Sequence, residues 1–301
     1  MLDLSIVIVN YRSWDKLTLC LDSLLAQGTV IKQIIVSDNN SEDNQINTFS
    51  SKYPRVIWQE NEHNGGFAYG CNQGASIATG KWLLFLNPDT ELPPNTLASL
   101  LTFCEKNPTH KLIAIKQITS EGKLNYPFGI FPNALNQNGF LRSMERTFIK
   151  TSQSKKKLTS SVIGYPDWIA GSFVLLRKTD FDLIGKWDER FWMYYEDIDF
   201  SKRAQSLGMS PVVLNNWTCI HNHGGASRKT RKTKVLTKTH VLISAHKYLD
   251  KYLSFPQKQL GQFLLFLGCL FNALFIPTKT KRAIFVRMLA FWSAGKYPNK
   301  Q

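Results

Sequence analysis

Apolar and polar positions along the first 118 residues follow two alternating rhythms. "LSIVIVN" (4–10), "QIIVSDNNSED" (33–43), "RVIWQE" (55–60), the start of "KWLLFLNPD" (81–89) and "KLIAIKQI" (111–118) are short apolar runs, most of them ending in polar residues. Strands buried on both faces of a sheet read this way. Between them, apolar residues recur at three- and four-residue intervals. Leu17, Leu21 and Leu24 define one helix, with Ser13 placed to cap it; 66–80 and 96–106 define two more. Such alternation predicts an α/β chain whose mostly parallel central sheet is flanked by helices. The pattern weakens over 119–165, where "SQSKKKLTSS" reads as a mobile loop, either a plain surface insertion or an acceptor-side loop. It returns at "DWIAGSFVLLRK" (167–178), at a helix near 179–184 and in "WDERFWMYYEDIDFSKRAQSLG" (187–208).

At 301 residues the chain holds one large domain or two small ones, and 43% hydrophobic content is enough for a packed core. The five cysteines form no CxxC pair and no metal-finger spacing, which points to buried thiols in a reducing compartment. "MLDLS" at the start has no basic region and no cleavage site, so no signal peptide is expected.

Charge divides the chain. Residues 228–301 hold 15 of the 37 Lys and Arg but a single acidic residue, Asp250, so nearly all of the +15 net charge lies there. The same region contains "QLGQFLLFLGCLFNALFIP" (259–277), close to the roughly 20 residues of a membrane span but interrupted by Gln262, two glycines and Asn272. Basic "RKTRKTKVLTK" (228–238) and "KTKR" (279–282) flank it. Amphipathic helices lying on an anionic membrane surface fit this pattern, and a helical pair packed on the rest of the chain is the alternative.

Three polar clusters fall at strand ends: Asn10-Tyr11, Asp38-Asn39-Asn40 and Asn87-Pro88-Asp89. Open parallel sheets bind ligands beyond these ends, so the three together suggest one crevice. Gly66, Gly70 and Gly74 line one helix face, which serves close packing or a close ligand, and the helix start at Gly65-Gly66 can draw a diphosphate. Asp89 suits Mg²⁺ or Mn²⁺. Glu196 and Asp197 sit among Trp192, Tyr194 and Tyr195, surroundings that raise a carboxylate pKa and suit a general base; a solvated acidic turn is the plainer reading. Asp199 reads as a helix cap. His221 and His223 precede two glycines and are candidates for a metal or phosphate contact, or for structural roles.

Six of these stretches, "SIVIVNYRSWDKLTLCLDSLLAQ", "IIVSDNNSED", "NGGFAYGCNQG", "LLFLNPD", "DWIAGSFVLLRK" and "FWMYYEDIDFSKRAQSLG", occur in the order and register of family 2 glycosyltransferases. The chain resembles the rhamnosyltransferase-like branch of bacterial surface-polysaccharide synthesis over residues 3–227. The resemblance implies a GT-A fold: a catalytic domain, 1–227, with a nucleotide-sugar-binding half (1–118) and an acceptor-binding half (119–227), followed by the basic helical region 228–301. It implies donor contacts from Asn10, Asp38, Asn64, Gly66, Asn72 and Asn87. It makes Asp89 a metal ligand, with His221 or His223 beside it, and Asp197 of the Glu196-Asp197 pair the catalytic base. The implied reaction is an inverting, metal-dependent transfer of rhamnose or another deoxyhexose. The donor is a dTDP- or UDP-sugar and the acceptor is lipid-linked or a glycan, at the inner face of the cytoplasmic membrane. The rivals are another nucleotide-sugar or nucleotidyl-transfer enzyme, and a nucleic-acid binder using the basic tail. No nucleic-acid motif is present, so no nucleic-acid partner is expected.

Overall fold

The computed structural model describes residues 3–136, 158, 161–222, 230–276 and 278–294. The first elements run β1 (Leu4–Asn10), α1 (Trp14–Leu25), β2 (Ile31–Asp38), α2 (Gln45–Lys52), β3 (Val56–Glu60), α3 (Phe67–Ser76), β4 (Trp82–Leu86), β5 (Thr90–Glu91), α4 (Thr96–Lys106) and β6 (Leu112–Ile118). Four two-residue strands follow: β7 (Leu124–Asn125), β8 (Phe128–Gly129), β9 (Ile163–Gly164) and β10 (Trp168–Ile169). Then come β11 (Phe173–Arg177), α5 (Lys178–Ile184), α6 (Glu196–Ser206) and β12 (Pro211–His221). Three helices close the chain: α7 (Arg231–Tyr252), α8 (Gln257–Phe275) and α9 (Lys279–Ala294).

The main sheet has the order β3-β2-β1-β4-β11-β6-β12-β5. β1 pairs parallel with β2 and β4, β2 with β3, and β6 with β12. β11 runs antiparallel between β4 and β6, so the sheet is mostly parallel, as expected, but mixed at its centre. The chain order reverses between β1 and β4. In open α/β sheets that reversal opens a crevice at the carboxyl ends of the two strands, here Asn10 and the Asn87–Asp89 turn.

Alternation along β1 sends Leu4, Ile6 and Ile8 to one face and Val7 to the other. The first face packs on Leu17, Cys20, Leu21 and Leu24 of α1 and Leu97, Leu100, Leu101 and Cys104 of α4. The second packs on Ala68, Cys71 and Ala75 of α3, Phe181 of α5 and Phe200 of α6. The small side chains of α3 let it sit close. A Cβ at Gly70 would lie 2.7 Å from Val9, and one at Gly74 2.5 Å from Val7. The glycine face therefore serves helix-on-sheet packing. All five cysteines are buried free thiols.

Ser13 does occupy the N-cap of α1, but its hydroxyl donates to the Tyr11 carbonyl instead of accepting from the helix. Of the "SQSKKKLTSS" loop, only Leu158 and Ser161 are among the described residues, and the expectation of mobility falls outside them.

The chain divides into two compact units. Among described residues, the first is 3–130, 158, 161–192 and 196–222, and it contains the whole sheet. The second gathers α7, α8 and α9 with 131–136 and 193–195. Its core is Ile243, Cys269, Met288 and Phe291, and α7 opens on a capping box between Thr230 and Thr233. By length and composition α8 is long and apolar enough to cross a membrane.

Candidate active site

The turn after β4 holds Asp89 between two cationic or proton-bearing groups. His221 Nε2 lies 3.2 Å from Asp89 Oδ1, and Lys16 Nζ lies 3.2 Å from Oδ2. Strand register brings His221 there: β12 pairs antiparallel with β5, setting His221 opposite Thr90. Lys16 arrives from the first turns of α1 and also donates to the Asn222 carbonyl at 3.2 Å. Burial alone would raise the Asp89 carboxyl. The hydrogen bond and field of His221, joined by Lys16, outweigh it and hold the group below the usual carboxylate range.

His221 is itself fully buried, and its Nδ1 lies 2.7 Å from Gln117 Oε1. Gln117 is braced in turn by Ser172, whose hydroxyl receives its amide at 2.9 Å. The Gln117 amide oxygen accepts from Nδ1, which leaves Nε2 facing Asp89 Oδ1 and the Asn87 amide, the latter at 3.4 Å. An imidazole nitrogen and a carboxylate oxygen this close share a proton or a cation.

That geometry fits a divalent ion. Two ligands at about 2.1 Å from one small ion, at right angles, lie roughly 3 Å apart. Gln117 supplies the outer hydrogen bond that metal-bound histidines require. Among the described residues no group of three His, Cys, Asp or Glu converges on one point. Asp89 and His221 alone offer two ligands, and a site of this kind completes its shell with water and substrate phosphates.

Glu196 and Asp197 open α6. Asp197 Oδ1 accepts from the Ile198 N–H at 2.9 Å and Oδ2 from the Gly171 N–H at 3.4 Å. Burial pushes its carboxyl up to about 6 against those hydrogen bonds. Glu196 is buried, its Oε2 has no hydrogen-bond partner, and burial followed by repulsion from Asp197 drives its pKa well upward. One proton on Glu196 leaves the charge of the pair on Asp197. The two residues before them, Tyr194 and Tyr195, have left-handed φ of 64° and 71°. Such backbone is costly for bulky residues and collects at functional sites.

Gly171 and Ser172 join the two clusters. Gly171 N–H meets Asp197, the Ser172 carbonyl receives the Asn87 N–H at 3.1 Å, and the Ser172 side chain braces Gln117 behind His221.

Comparison with known proteins gives the family and the fold. The glycosyl transferase family 2 model matches residues 5–176, more than half of the chain. The chain belongs to glycosyl transferase family 2. It is a glycosyltransferase. Rhamnosyltransferase WbbL of Escherichia coli K12 is 26% identical over 226 residues, covering 72% of this chain and 82% of that relative. The N-acetylglucosaminyl-diphospho-decaprenol L-rhamnosyltransferase of Mycobacterium tuberculosis H37Rv is 23% identical over 241 residues, 73% and 76% of the two chains. Among solved structures, GalNAc-T7 with UDP, GalNAc and Mn²⁺ superposes with a TM-score of 0.58 at 15% identity; the match covers 99% of this chain but 58% of that one. The mannosyltransferase PcManGT of Pyrobaculum calidifontis, with GDP-Man and Mn²⁺, gives 0.54 at 13%, covering 98% and 76%. The fold is GT-A.

Within this family 2 enzyme, the residues singled out from sequence do not all reach the crevice. Asn87, Asp89 and His221 meet at the turn after β4, while Asn10 is buried at the end of β1, its Nδ2 donating to Asp38 Oδ1 at 2.7 Å and its Oδ1 accepting the Ser13 N–H at 3.2 Å. Asp38 is buried at the end of β2 and spends both oxygens internally. Its Oδ1 takes Asn10 Nδ2 and Ser41 Oγ, each at 2.7 Å, and its Oδ2 takes Ser41 N–H at 2.8 Å. It braces the loop at the end of β2.

The start of α3 differs from expectation. Gly66 N–H goes to Asn64 Oδ1 at 3.1 Å and Phe67 N–H to the Trp192 carbonyl at 3.2 Å. These two donors are spent within the chain and are not offered to a diphosphate. Asn64 and Gly66 shape that turn. Asn72 also turns away: its amide bonds the Trp187 carbonyl, Glu189 Oε1 and the Trp187 N–H at 2.9, 2.7 and 3.1 Å. In this structure it braces 187–189. Asp199 lies in the first turn of α6 and pairs with Arg203 at 2.8 Å. His223 lies outside the described residues. Sequence reasoning assigned no role to Lys16, Gln117, Gly171 or Ser172; each lies within a quoted stretch, but nothing local marks them as partners of Asp89, His221 or Asp197.

Proposed function

We propose that this glycosyltransferase moves rhamnose or another deoxyhexose from a dTDP- or UDP-linked donor to a hydroxyl of a lipid-linked or glycan acceptor, inverting the anomeric centre. The observation that carries the reading is the link from Asp197, bonded to Gly171 N–H, through the Ser172 carbonyl and the Asn87 N–H to the turn where Asp89 meets His221, after β4. The relatives support the sugar and the acceptor. Both names specify rhamnose transfer, and one specifies a diphospho-decaprenol acceptor.

Asp89 and His221 are the residues that would hold Mg²⁺ or Mn²⁺, which when bound supplies positive charge against the leaving diphosphate. Gln117 orients His221, and Asn87 bonds its ring on the crevice side. Asp197 takes the proton of the acceptor hydroxyl as that oxygen bonds to the anomeric carbon. On the opposite face the bond from that carbon to the diphosphate oxygen breaks, and the nucleoside diphosphate leaves with the electron pair. Protonated Glu196 keeps the second carboxyl neutral beside the base.

The C-terminal unit supports attachment at the inner face of the cytoplasmic membrane. On α8, Leu260, Phe263, Leu267, Phe271 and Leu274 are exposed at three- and four-residue spacing, while Gly261, Leu265, Cys269 and Ala273 are buried. A groove of about 300 Å³ in the same unit is lined by Arg231, Lys232, Val235, Leu236 and Arg287, a basic and apolar mixture that suits an anionic lipid surface.

The test is a panel of dTDP-, UDP- and GDP-sugars with and without Mn²⁺, scored by melting temperature. A ligand that binds only the folded chain raises it. Metal-dependent stabilisation by a dTDP- or UDP-sugar is expected; no response to any donor contradicts the reading.

A further inference from the structure

Lys16 has no part in the core and no place in a catalytic motif, yet it spans the crevice. It rises from α1, just after β1, and meets the turn after β4, bridging the point where the strand order reverses. Its ammonium is shared between Asp89 Oδ2 and the Asn222 carbonyl, each at 3.2 Å. The pair is partly withdrawn from solvent, with side-chain exposures of 31% for Lys16 and 15% for Asp89. Asp89 thus has one oxygen turned to the candidate metal ligand His221 and the other to a lysine.

We infer that Lys16 is a cation built into the donor site. It neutralises Asp89 while no divalent ion is present and engages the donor's diphosphate when one is bound. The inference rests on the donor-site reading above. An ammonium bonded to Asp89 competes with a divalent ion for that carboxylate and repels it at short range. An ammonium carries three donors on a flexible stem, so it can exchange a carboxylate for phosphate oxygens without moving the helix. Asn87 stands where a second carboxylate would add negative charge, so the turn relies on few charges and each one counts.

The test compares the full-length chain with Lys16→Met and Lys16→Arg, all checked for native circular dichroism. Mn²⁺ binding is titrated by electron paramagnetic resonance without nucleotide. dTDP and UDP binding is measured by calorimetry at saturating Mn²⁺. Lys16→Met is expected to bind Mn²⁺ alone about tenfold more tightly, since a competing like charge is gone. It is expected to bind the nucleoside diphosphate about tenfold more weakly, since a charged hydrogen bond is gone. Lys16→Arg stays near wild type in both. Any pattern in Lys16→Met other than opposite shifts overturns the inference, including a parallel weakening from simple misplacement of Asp89. A wild-type chain that binds neither Mn²⁺ nor nucleoside diphosphate overturns the donor-site reading itself. That outcome is distinct from a wild type that binds both beside an unaltered Lys16→Met.

Discussion

The N–H of Gly171 donates to Asp197 Oδ2 at 3.4 Å, and the carbonyl of the following residue, Ser172, accepts the N–H of Asn87 at 3.1 Å. Two consecutive residues thus tie the proposed base to the turn that carries Asp89. A Cβ on Gly171 would lie 2.8 Å from the Phe67 ring, so this peptide runs too close to α3 for a larger residue. The distance between the two halves of the site is set by β11, a strand pinned antiparallel to β4.

The raised Asp197 carboxyl sets the pH dependence. A base acts when deprotonated, so kcat/KM should climb with pH through an apparent value near 6 and then level off. Because Glu196 and Asp197 titrate together, the limb belongs to the pair. Initial rates from about pH 5 to 8 check this, and a flat profile over that range contradicts the assignment.

Glu196→Gln separates the two carboxyls. Both are raised in the fold, so the folded chain holds their protons more tightly than the unfolded chain. Their contribution to stability is favourable at low pH and lost as pH rises through the raised values. Removing that ionisation while keeping the shape should raise the melting temperature near pH 7.5 by about 2–4 °C. Activity should stay within roughly threefold of wild type. A loss of several orders of magnitude would make Glu196 the base instead.

Gly66→Ala should break the turn into α3. The residue has φ +91°, and a Cβ there would lie 1.9 Å from the Trp192 carbonyl oxygen. A cost of about 3 kcal/mol or more is expected from urea midpoints. Gly122→Ala is the control: its φ is +76° but nothing lies within 4 Å, so only the backbone term of about 1–2 kcal/mol applies. Equal costs would mean that the Trp192 contact is unimportant.

Replacing Phe263 and Phe271 together with Ser should release the chain from vesicles containing anionic lipid. Both rings are more than half exposed on one face of α8. Flotation with anionic and with neutral vesicles reads the effect; the wild type should float with the anionic set and the double variant about tenfold less. Equal flotation of the two proteins would remove α8 from the membrane contact.

Much of the fold over residues 4–118 is legible in the sequence because its strands are continuous apolar runs buried on both faces. The α4 prediction, 96–106, coincides with Thr96–Lys106, and the strand ends that make the crevice stand out as polar stops. Strand direction leaves no such mark: "FVLLR" reads alike in either sense, and β11 proved antiparallel. β12 escaped notice because Asn215 and Asn216 interrupt it at a shift in its pairing with β6. Its last residue, His221, is a candidate ligand only through its register with β5. Lys16 meets Asp89 across 73 positions, beyond any local pattern. Asn72 looked like a donor contact because it sits in the glycine-rich segment, and helical phase turned it to Trp187 instead.

The most direct test is nucleoside-diphosphate release from a dTDP- or UDP-sugar in the presence of Mn²⁺ and a polyprenyl-diphosphate-linked sugar acceptor, comparing wild type with Asp197→Asn. The account predicts metal-dependent release by the wild type. Asp197→Asn should be slower by roughly a thousandfold with its donor affinity unchanged, the signature of a lost proton acceptor. Release by Asp197→Asn at the wild-type rate, or a loss explained entirely by weaker donor binding, would contradict it.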